Sequence, residues 1–440
     1  MKMSKLNASA AAVLFAVLLS LAPVGAQASG LASLIPNLFA RTIVLAPNGH
    51  EAHFTDQDNK LATTGLEINS SIVAQLATFP LGSSAGGFTY TFDASLGVFT
   101  RSTDSFGPLY AERAQTLGKG KWNTGLSYLR TTYDKLDSLD LRKGDISFPL
   151  FHKDVNSDGT SNTLFFEGDV IEARSFLALD STTSVLFATY GVTDRFDIGV
   201  AVPFQKVEID SSATLTIDRI ATSNIPQIHR FPDGSSEQTT VARGSASGLG
   251  DVVVRGKYRM WDSAKSGFAV ALDVRLPTGN EKDLLGTGAT RTKAYLVWST
   301  AWGSFEPHVN AGYTVSSGGG SSAVDVPDEV NYAVGADFPV HPRVTIAVDA
   351  VGRMLRDTAR FTETTKTLSF TTSTNPAIQF TDRPDLTISR GNVNSTLLSL
   401  GVRFNPAGNF LINANVLYSV TKAGLRDEGI IPLLGIDYSF

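Results

Sequence analysis

The chain of 440 residues contains six histidines and no cysteine, so covalent or metal chemistry would have to run through imidazole, hydroxyl and carboxylate groups. The absence of cysteine excludes a disulfide framework, a thiol nucleophile and a thiolate zinc site together. His50 and His53 lie in the N-terminal part, His152 and His229 in stretches that read as long loops, and His341 in a short turn. Only His308, beside Glu306, falls on a regular strand face. No serine stands two residues after any histidine, as a histidine–serine pair sharing one strand face would require. Gly244-Ser245-Ala246-Ser247-Gly248 has the outline of a nucleophile elbow but carries Ala246 where the serine must stand. No catalytic constellation is supported, and no cofactor or energy-coupling motif is found. Asp154, Asn156 and Asp158, followed by Gly159, repeat the first half of a calcium loop, where alternate oxygen ligands and a glycine turn wrap a hard cation. Phe165 occupies the twelfth position, where glutamate would close the loop, so an Asx-rich surface loop is the leading reading.

The remaining chemistry is electrostatic, and strand phase decides where it points. From about residue 121, apolar and polar residues alternate with the period of two expected of strands with unlike faces. Phe305, Pro307, Val309, Ala311, Tyr313 and Val315 share one face; Glu306, His308, Asn310 and Thr314 share the other. The polar phase collects Asp251, Arg255, Lys257 and Arg259 on one strand, Asp273 and Arg275 on its neighbour, then Lys293, Glu306 and His308. Asp337, Asp349, Arg353, Arg403 and Asp437 continue the set. On a lipid face such charges would cost about 2–4 kcal/mol each at the bilayer midplane, so their phase assigns them to a lumen. Two readings stay open: a hydrated path whose Arg255, Lys257, Arg259, Arg275 and Lys293 attract anionic or polarisable solutes, or cross-strand pairs, Arg255 or Lys257 with Asp273 for example, that fill a narrow barrel.

Loop lengths separate a membrane barrel from a soluble sandwich, which would alternate equally well. Short connections at Thr193-Asp194, 262–266, Gly303-Ser304, Val340–Pro342 and Asn405–Gly408 alternate strictly with long ones at 211–247, 278–289, 317–328, 358–392 and 422–428. All short turns therefore lie at one end, the plan of an outer-membrane barrel. Six up-strands (near 121–134, 195–207, 265–277, 305–316, 343–357 and 408–421) and six down-strands (near 166–192, 248–261, 290–302, 329–340, 393–404 and 429–440) predict an all-β, antiparallel up-and-down barrel of about twelve strands. A turn at Asp180-Ser181 could split the segment 166–192, and fourteen strands result if an N-terminal hairpin joins the wall. Leu434, Ile436, Tyr438 and the final Phe440 share one face of the last strand, a pattern that resembles the assembly signal of bacterial outer-membrane barrels. Trp122, Trp261, Trp298, Trp302, Phe338 and Phe404 near strand ends suit an interfacial aromatic girdle.

Composition agrees. Charged residues make up 18 %, below the roughly 25 % of soluble domains, and no later stretch approaches the ~18 apolar residues of a spanning helix. Lys2 and Lys5, an apolar run and Ala26-Gln27-Ala28 read as a signal peptide, residues 1–28, cut after Ala28. Without it 35 basic and 42 acidic residues remain, a formal charge of −7 that argues against nucleic acid as a partner. Residues 29–118 break the strand pattern. Thr64-Gly65-Leu66-Glu67 reads as a capping box that opens a helix running to Phe79, Leu34–Leu45 as a shorter helix, and Phe88–Phe92 with Leu96–Phe99 as a hairpin. This region would either plug the barrel of residues 119–440 or extend from it on the periplasmic side.

The segments Tyr190–Phe204, Gly248–Tyr258 and Val274–Asn280 carry a resemblance: the chain looks like the outer-membrane barrel family associated with transport in phenol meta-cleavage pathways. It is similar in plan, more distantly, to the fatty-acid and aromatic-hydrocarbon uptake channels with an N-terminal hatch. The resemblance spans roughly 86–440 and implies passage of small, often aromatic or hydrophobic, compounds. The expectations are a monomer in the bacterial outer membrane whose partners are lipid, the barrel-assembly machinery and small organic solutes, without cofactor or metal. The alternative is a closed structural or surface-binding barrel.

Overall fold

A strand that faces lipid on one side and a packed lumen on the other must repeat every second residue, and the wall of this protein does so throughout. The computed structural model describes residues 30–39, 42–76, 82–83, 87–93, 98–101, 103–160, 163–263, 265–318 and 326–440. The signal-peptide expectation lies outside these residues. Twelve strands form the wall: β1 (Trp122–Tyr133), β2 (Val170–Thr193), β3 (Phe196–Asp218), β4 (Val253–Asp262), β5 (Ser266–Arg275), β6 (Thr290–Thr300), β7 (Glu306–Ser317), β8 (Glu329–His341), β9 (Val344–Thr372), β10 (Asn375–Ala407), β11 (Phe410–Ser419) and β12 (Ile430–Ser439). Each pairs antiparallel with its sequence neighbours, and β12 returns to β1 (Leu433↔Leu129, Ser439↔Asn123), so no edge is left unpaired. The closing seam continues to the last residue, where Trp122 and Phe440 exchange two backbone hydrogen bonds of 2.8 and 2.9 Å.

The outward face is an apolar belt. Leu434, Ile436, Tyr438 and Phe440 are 59, 43, 49 and 49 % exposed, while Asp437 between them is 4 % exposed. At the short-turn end aromatic rings meet in pairs, Trp122 with Tyr190 (4.6 Å between centroids) and Phe305 with Phe338 (5.5 Å), as a headgroup-level girdle requires. No helix among the described residues is long and apolar enough to cross a membrane. Twelve wall strands are as expected; two further strands extend the sheet, Ile146–Phe151 on β2 and Glu237–Leu249 on β3, and neither belongs to the N-terminal hairpin.

Several expectations need correction. The alternative split of 166–192 at Asp180-Ser181 is not realised and the segment is one strand, as expected: β2 runs unbroken, with Asp180 paired to Thr132 on one side and Glu208 on the other. The stretch 358–392 is not a loop, because β9 and β10 stay paired, with register shifts between Leu355 and Thr358 and between Phe370 and Thr372, until Ser373-Thr374, well beyond the wall. Likewise most of 211–247 is hairpin, leaving 219–236 as the connection. In each case Thr, Ser and charged residues spread over both faces looked like loop, yet they alternate on a ribbon with water on one side.

These extensions have an apolar inner face, and it packs on the N-terminal segment. Helices α1 (Leu34–Phe39) and α2 (Asp58–Leu76) insert Ile35, Phe39, Leu61, Ile68 and Ile72 among Phe148, Leu179, Ile209, Leu215 and Phe361. Helix α2 starts six residues before Thr64, because Leu61 carries the apolar stripe Leu61, Ile68, Ile72, Leu76 one turn further back; Thr64 is buried mid-helix and caps nothing. The first helix is described over Leu34–Phe39 and does not reach Leu45, since 42–46 are not helical. The hairpin forms with Tyr90–Asp93 against Val98–Arg101, displaced about two residues from its expected position. Phe79, where the second helix was expected to end, lies outside the described residues.

Candidate functional site in the barrel lumen

Residues 103–119, which precede the first wall strand and show no periodicity in sequence, run along the inner wall. Their backbone is met by side chains of successive strands. Arg403 on β10 donates to the Pro108 carbonyl (2.6 Å), and Asp349 Oδ2 on β9 accepts the Leu109 and Tyr110 N–H groups (both 2.9 Å). Asn310 on β7 accepts from Glu112 N (2.6 Å), and Ser299 on β6 accepts from Ala114 N (3.0 Å). Lys257 on β4 donates to the Arg113 and Gln115 carbonyls (3.2 and 2.9 Å), and Asp197 on β3 accepts from Leu117 N (3.0 Å). The order β10, β9, β7, β6, β4, β3 is the order of the strands around the barrel. The geometry is self-consistent: nine extended residue steps cover about 30 Å, and the seven interstrand gaps from β10 to β3 span about 34 Å, less along the inside of the curve. The segment is thus a strap that crosses eight strands near their short-turn ends.

The strap brings its own carboxylate. Glu112 bridges Arg255 (2.5 Å) and Lys257 (3.4 Å), and Arg255 also grips both oxygens of Asp273 (2.7 Å each). Lys293 (3.6 Å) and the Tyr295 hydroxyl (3.3 Å) complete the Asp273 shell. Further up, Glu329 holds Arg291 (2.6 Å) and Arg353 (3.5 Å), and Arg353 donates to the Gln75 carbonyl at the end of α2. On the far side Arg403 pairs with Asp437 (3.0 Å), and His308 with Asp349 (2.7 Å). Gly335 lies beneath this last pair, where a Cβ would fall on both the carboxylate and the imidazole. Removing one partner from such buried pairs strands the other, at a cost of about 3–5 kcal/mol.

Among the described residues, two cavities lie beside these networks. The larger, about 150 Å³, lies on the long-loop side of the strap. Arg255, Arg275, Arg291, Lys293, Arg353 and Arg426 outnumber Glu112, Asp273, Glu329 and Asp427 on its walls, which also present the rings of Tyr110, Tyr133, Tyr295 and Tyr332. The smaller, about 80 Å³, lies against β11, β12, β1 and β2, the arc that the strap leaves uncrossed, and includes Phe187, Val185 and Leu433. Tyr110, Val253 and Arg255 line both, so the strap's own tyrosine stands between them.

The structure thus gathers Arg255, Asp273, Arg275, Lys293 and Arg353 around one cavity and Arg403 and Asp437 around the other. Lys257, Asp349 and His308 hold the strap or its anchor. Glu306 and Asp337 sit opposite each other, buried, at the short-turn end. Asp251 and Arg259 lie elsewhere: Asp251 is spent on the Gly279 and Thr287 N–H groups of a long loop, and Arg259 donates to the Asp194 carbonyl at a short turn. Sequence reasoning missed Glu112, Tyr110, Arg291 and Glu329. The phase of Lys293 two residues away could have found Arg291, whereas nothing periodic marks the strap. In the loop 154–159, both Asp154 oxygens accept backbone N–H groups of Asp158 and Gly159 (3.2 and 2.6 Å), and Asp158 accepts from Thr160 (2.9 Å), the bonding of an Asx-rich turn.

A closed antiparallel barrel with an apolar outer belt, aromatic rims and a polar interior defines the class of transmembrane β-barrels. Within it the chain belongs to the family described as "Putative MetA-pathway of phenol degradation", which matches residues 171–421 and meets the expectation from the sequence. No curated protein sequence matches the chain. Among solved structures it is similar to an outer membrane channel from Pseudomonas putida F1 (12 % identity, 74 % of this chain and 98 % of that one, TM-score 0.42). It is also similar to a Pseudomonas aeruginosa FadL homologue (12 %, 73 % and 89 %, TM-score 0.30).

Proposed function

We propose that the protein is a monomeric channel of the bacterial outer membrane through which small organic molecules, aromatic ones above all, pass down their gradient without chemical change. In this reading residues 29–118 plug the barrel of residues 119–440, and the strap within them sets what may pass. The short turns face the periplasm and the extended hairpins the outside. The barrel-assembly machinery reads the last strand, with Leu434, Ile436, Tyr438 and Phe440 presented outward. One observation carries the reading: two cavities inside an apolar-belted barrel, in series and separated by Tyr110. The four tyrosines and the surplus of cations around the outer cavity favour a small aromatic solute that bears negative charge, consistent with a family tied to phenol degradation. Cation–π contact is already practised there, with Lys293 4.3 Å from the Tyr295 ring.

Purified protein in liposomes should therefore admit aromatic carboxylates and phenols faster than sugars of the same size, and Lys293→Met should reduce the flux of the anions more than that of neutral phenols. Absence of flux for every solute, both from the full chain and from a chain lacking 30–118, would favour instead a closed barrel whose outer hairpins bind a partner.

A further inference from the structure

Four of the six histidines, far apart in sequence, converge at the long-loop end of the molecule. His50 and His53 come from the N-terminal segment ahead of α2, His152 follows the strand Ile146–Phe151, and His229 sits in the connection 219–236. One ring nitrogen of each lies within 4.8 Å of all the others. The ring centroids of His53 and His152 are 4.3 Å apart, those of His50 and His229 4.8 Å, and those of His152 and His229 5.0 Å. His53, His152 and His229 are buried, at 8, 5 and 0 % exposure, and His50 is half-buried.

The hydrogen bonds around the cluster fix which nitrogens are free. His152 Nδ1 bonds the Lys153 carbonyl at 2.6 Å, so it carries the proton and leaves the Nε2 lone pair bare. His229 Nδ1 bonds Asp169 Oδ2 at 2.8 Å, and Asp169, fully buried, also accepts the Ala221 and Thr222 N–H groups and the Thr222 hydroxyl. A carboxylate that orients a histidine through its far nitrogen is the usual support for a metal ligand. The Nε2 atoms of both His152 and His229 are buried without a hydrogen-bond partner among the described residues. His50 and His53 turn their Nδ1 atoms toward each other at 3.0 Å. In a tetrahedral site with metal–nitrogen bonds of about 2.0–2.1 Å, neighbouring ligand nitrogens stand roughly 3.3 Å apart. The cluster is therefore within small side-chain rotations of that arrangement.

We propose that His50, His53, His152 and His229 bind one divalent transition-metal ion of borderline softness, zinc in the first instance, in a closed four-imidazole site. Nitrogen-only ligation disfavours calcium and magnesium, which take oxygen, and four protein ligands leave no position for a reacting water. The role is a clip. The three chain segments are already joined by backbone bonds, Ala46 N to the Arg230 carbonyl (2.8 Å) and Lys153 N to the His53 carbonyl (2.7 Å), and the ion would lock the N-terminal segment to the outer hairpins. Phe54 and Phe166 pack around the rings and shield the site from water.

The test uses the untagged full-length protein, folded in detergent and stripped with a chelator, then titrated with zinc against a chromophoric competitor. One equivalent should bind, with X-ray absorption showing four nitrogen scatterers at about 2.0 Å and imidazole multiple scattering. His152→Ala and His229→Ala should each abolish stoichiometric binding, and the half-buried His50→Gln should weaken it, while heat-modifiable gel migration reports that the barrel remains folded. Failure of the folded wild-type chain to bind an equivalent overturns the proposal. So does binding that survives both alanine variants, or a ligand shell made of oxygen.

Discussion

The two ends of the barrel close by different physics. At the short-turn end a single extended strap is held by directed bonds from Asp349, Asn310, Ser299, Lys257 and Asp197 to its backbone, each bond set by one wall side chain. At the long-loop end the hairpin extensions and helices α1 and α2 share an apolar core, with Phe54, Phe148, Phe231 and Phe361 all at most 1 % exposed. Apolar contact is non-directional and tolerates rearrangement of many partners, whereas a bond between a wall carboxylate and a strap N–H is local and can be removed one at a time. The difference teaches where permeability is set. In the proposed channel the outer end is a core of many interchangeable contacts, and the strap, crossing only part of the circumference, is the element whose few residues would set the width of a passage.

Two deletions and four substitutions break or sharpen this contrast, from the largest effect down. Deleting 30–118 leaves all twelve wall strands, so the product should still fold as a heat-modifiable barrel yet conduct as an open pore in planar bilayers; deleting only 29–85 should do much less, since the strap remains. Asp349→Ala strands the N–H groups of Leu109 and Tyr110 together with His308, and should cost about 3–5 kcal/mol in urea unfolding from vesicles while raising conductance. Phe148→Ala, at the other end, should cost a comparable 3–5 kcal/mol with conductance unchanged; an equal rise in conductance for the two would erase the distinction between the ends. Leu400→Arg, on the lipid face at 52 % exposure, should cost about 2–4 kcal/mol without touching either closure. Tyr110→Ala should have the smallest effect on stability, yet it merges the two cavities, and a measurable gain in aromatic flux with little gain for sugars would confirm that the tyrosine sorts solutes.

Much of this was legible in the chain. Phe305 to Thr314 announce an outward and an inward face residue by residue, and Leu434 to Phe440 do the same for the seam. Where water replaces lipid the signal weakens: in Thr358–Thr372 and Asn375–Ser389 the few apolar residues of the inner face, Ala359, Phe361 and Leu386 among them, are outnumbered by Thr, Ser and charged residues, and both segments passed for loop. Glu112 and Tyr110 gave no signal, because a strap lying across the strands has no period of its own and takes its partners from six different strands. The four histidines were visible one by one and carried no metal-ligand spacing, since they come from three segments.

What the sequence determined by itself is the wall: about twelve strands, the inward or outward phase of their membrane-spanning parts and the end at which the short turns lie. These follow from the period-two geometry of a strand between two solvents, which each residue expresses locally. Only the tertiary structure decided what the lumen holds. The strap, the bridge from its Glu112 to Arg255 and Lys257, the two cavities and the histidine cluster each join segments far apart in the chain, and such contacts come from barrel closure and from how far an extended segment can reach. No local pattern encodes either.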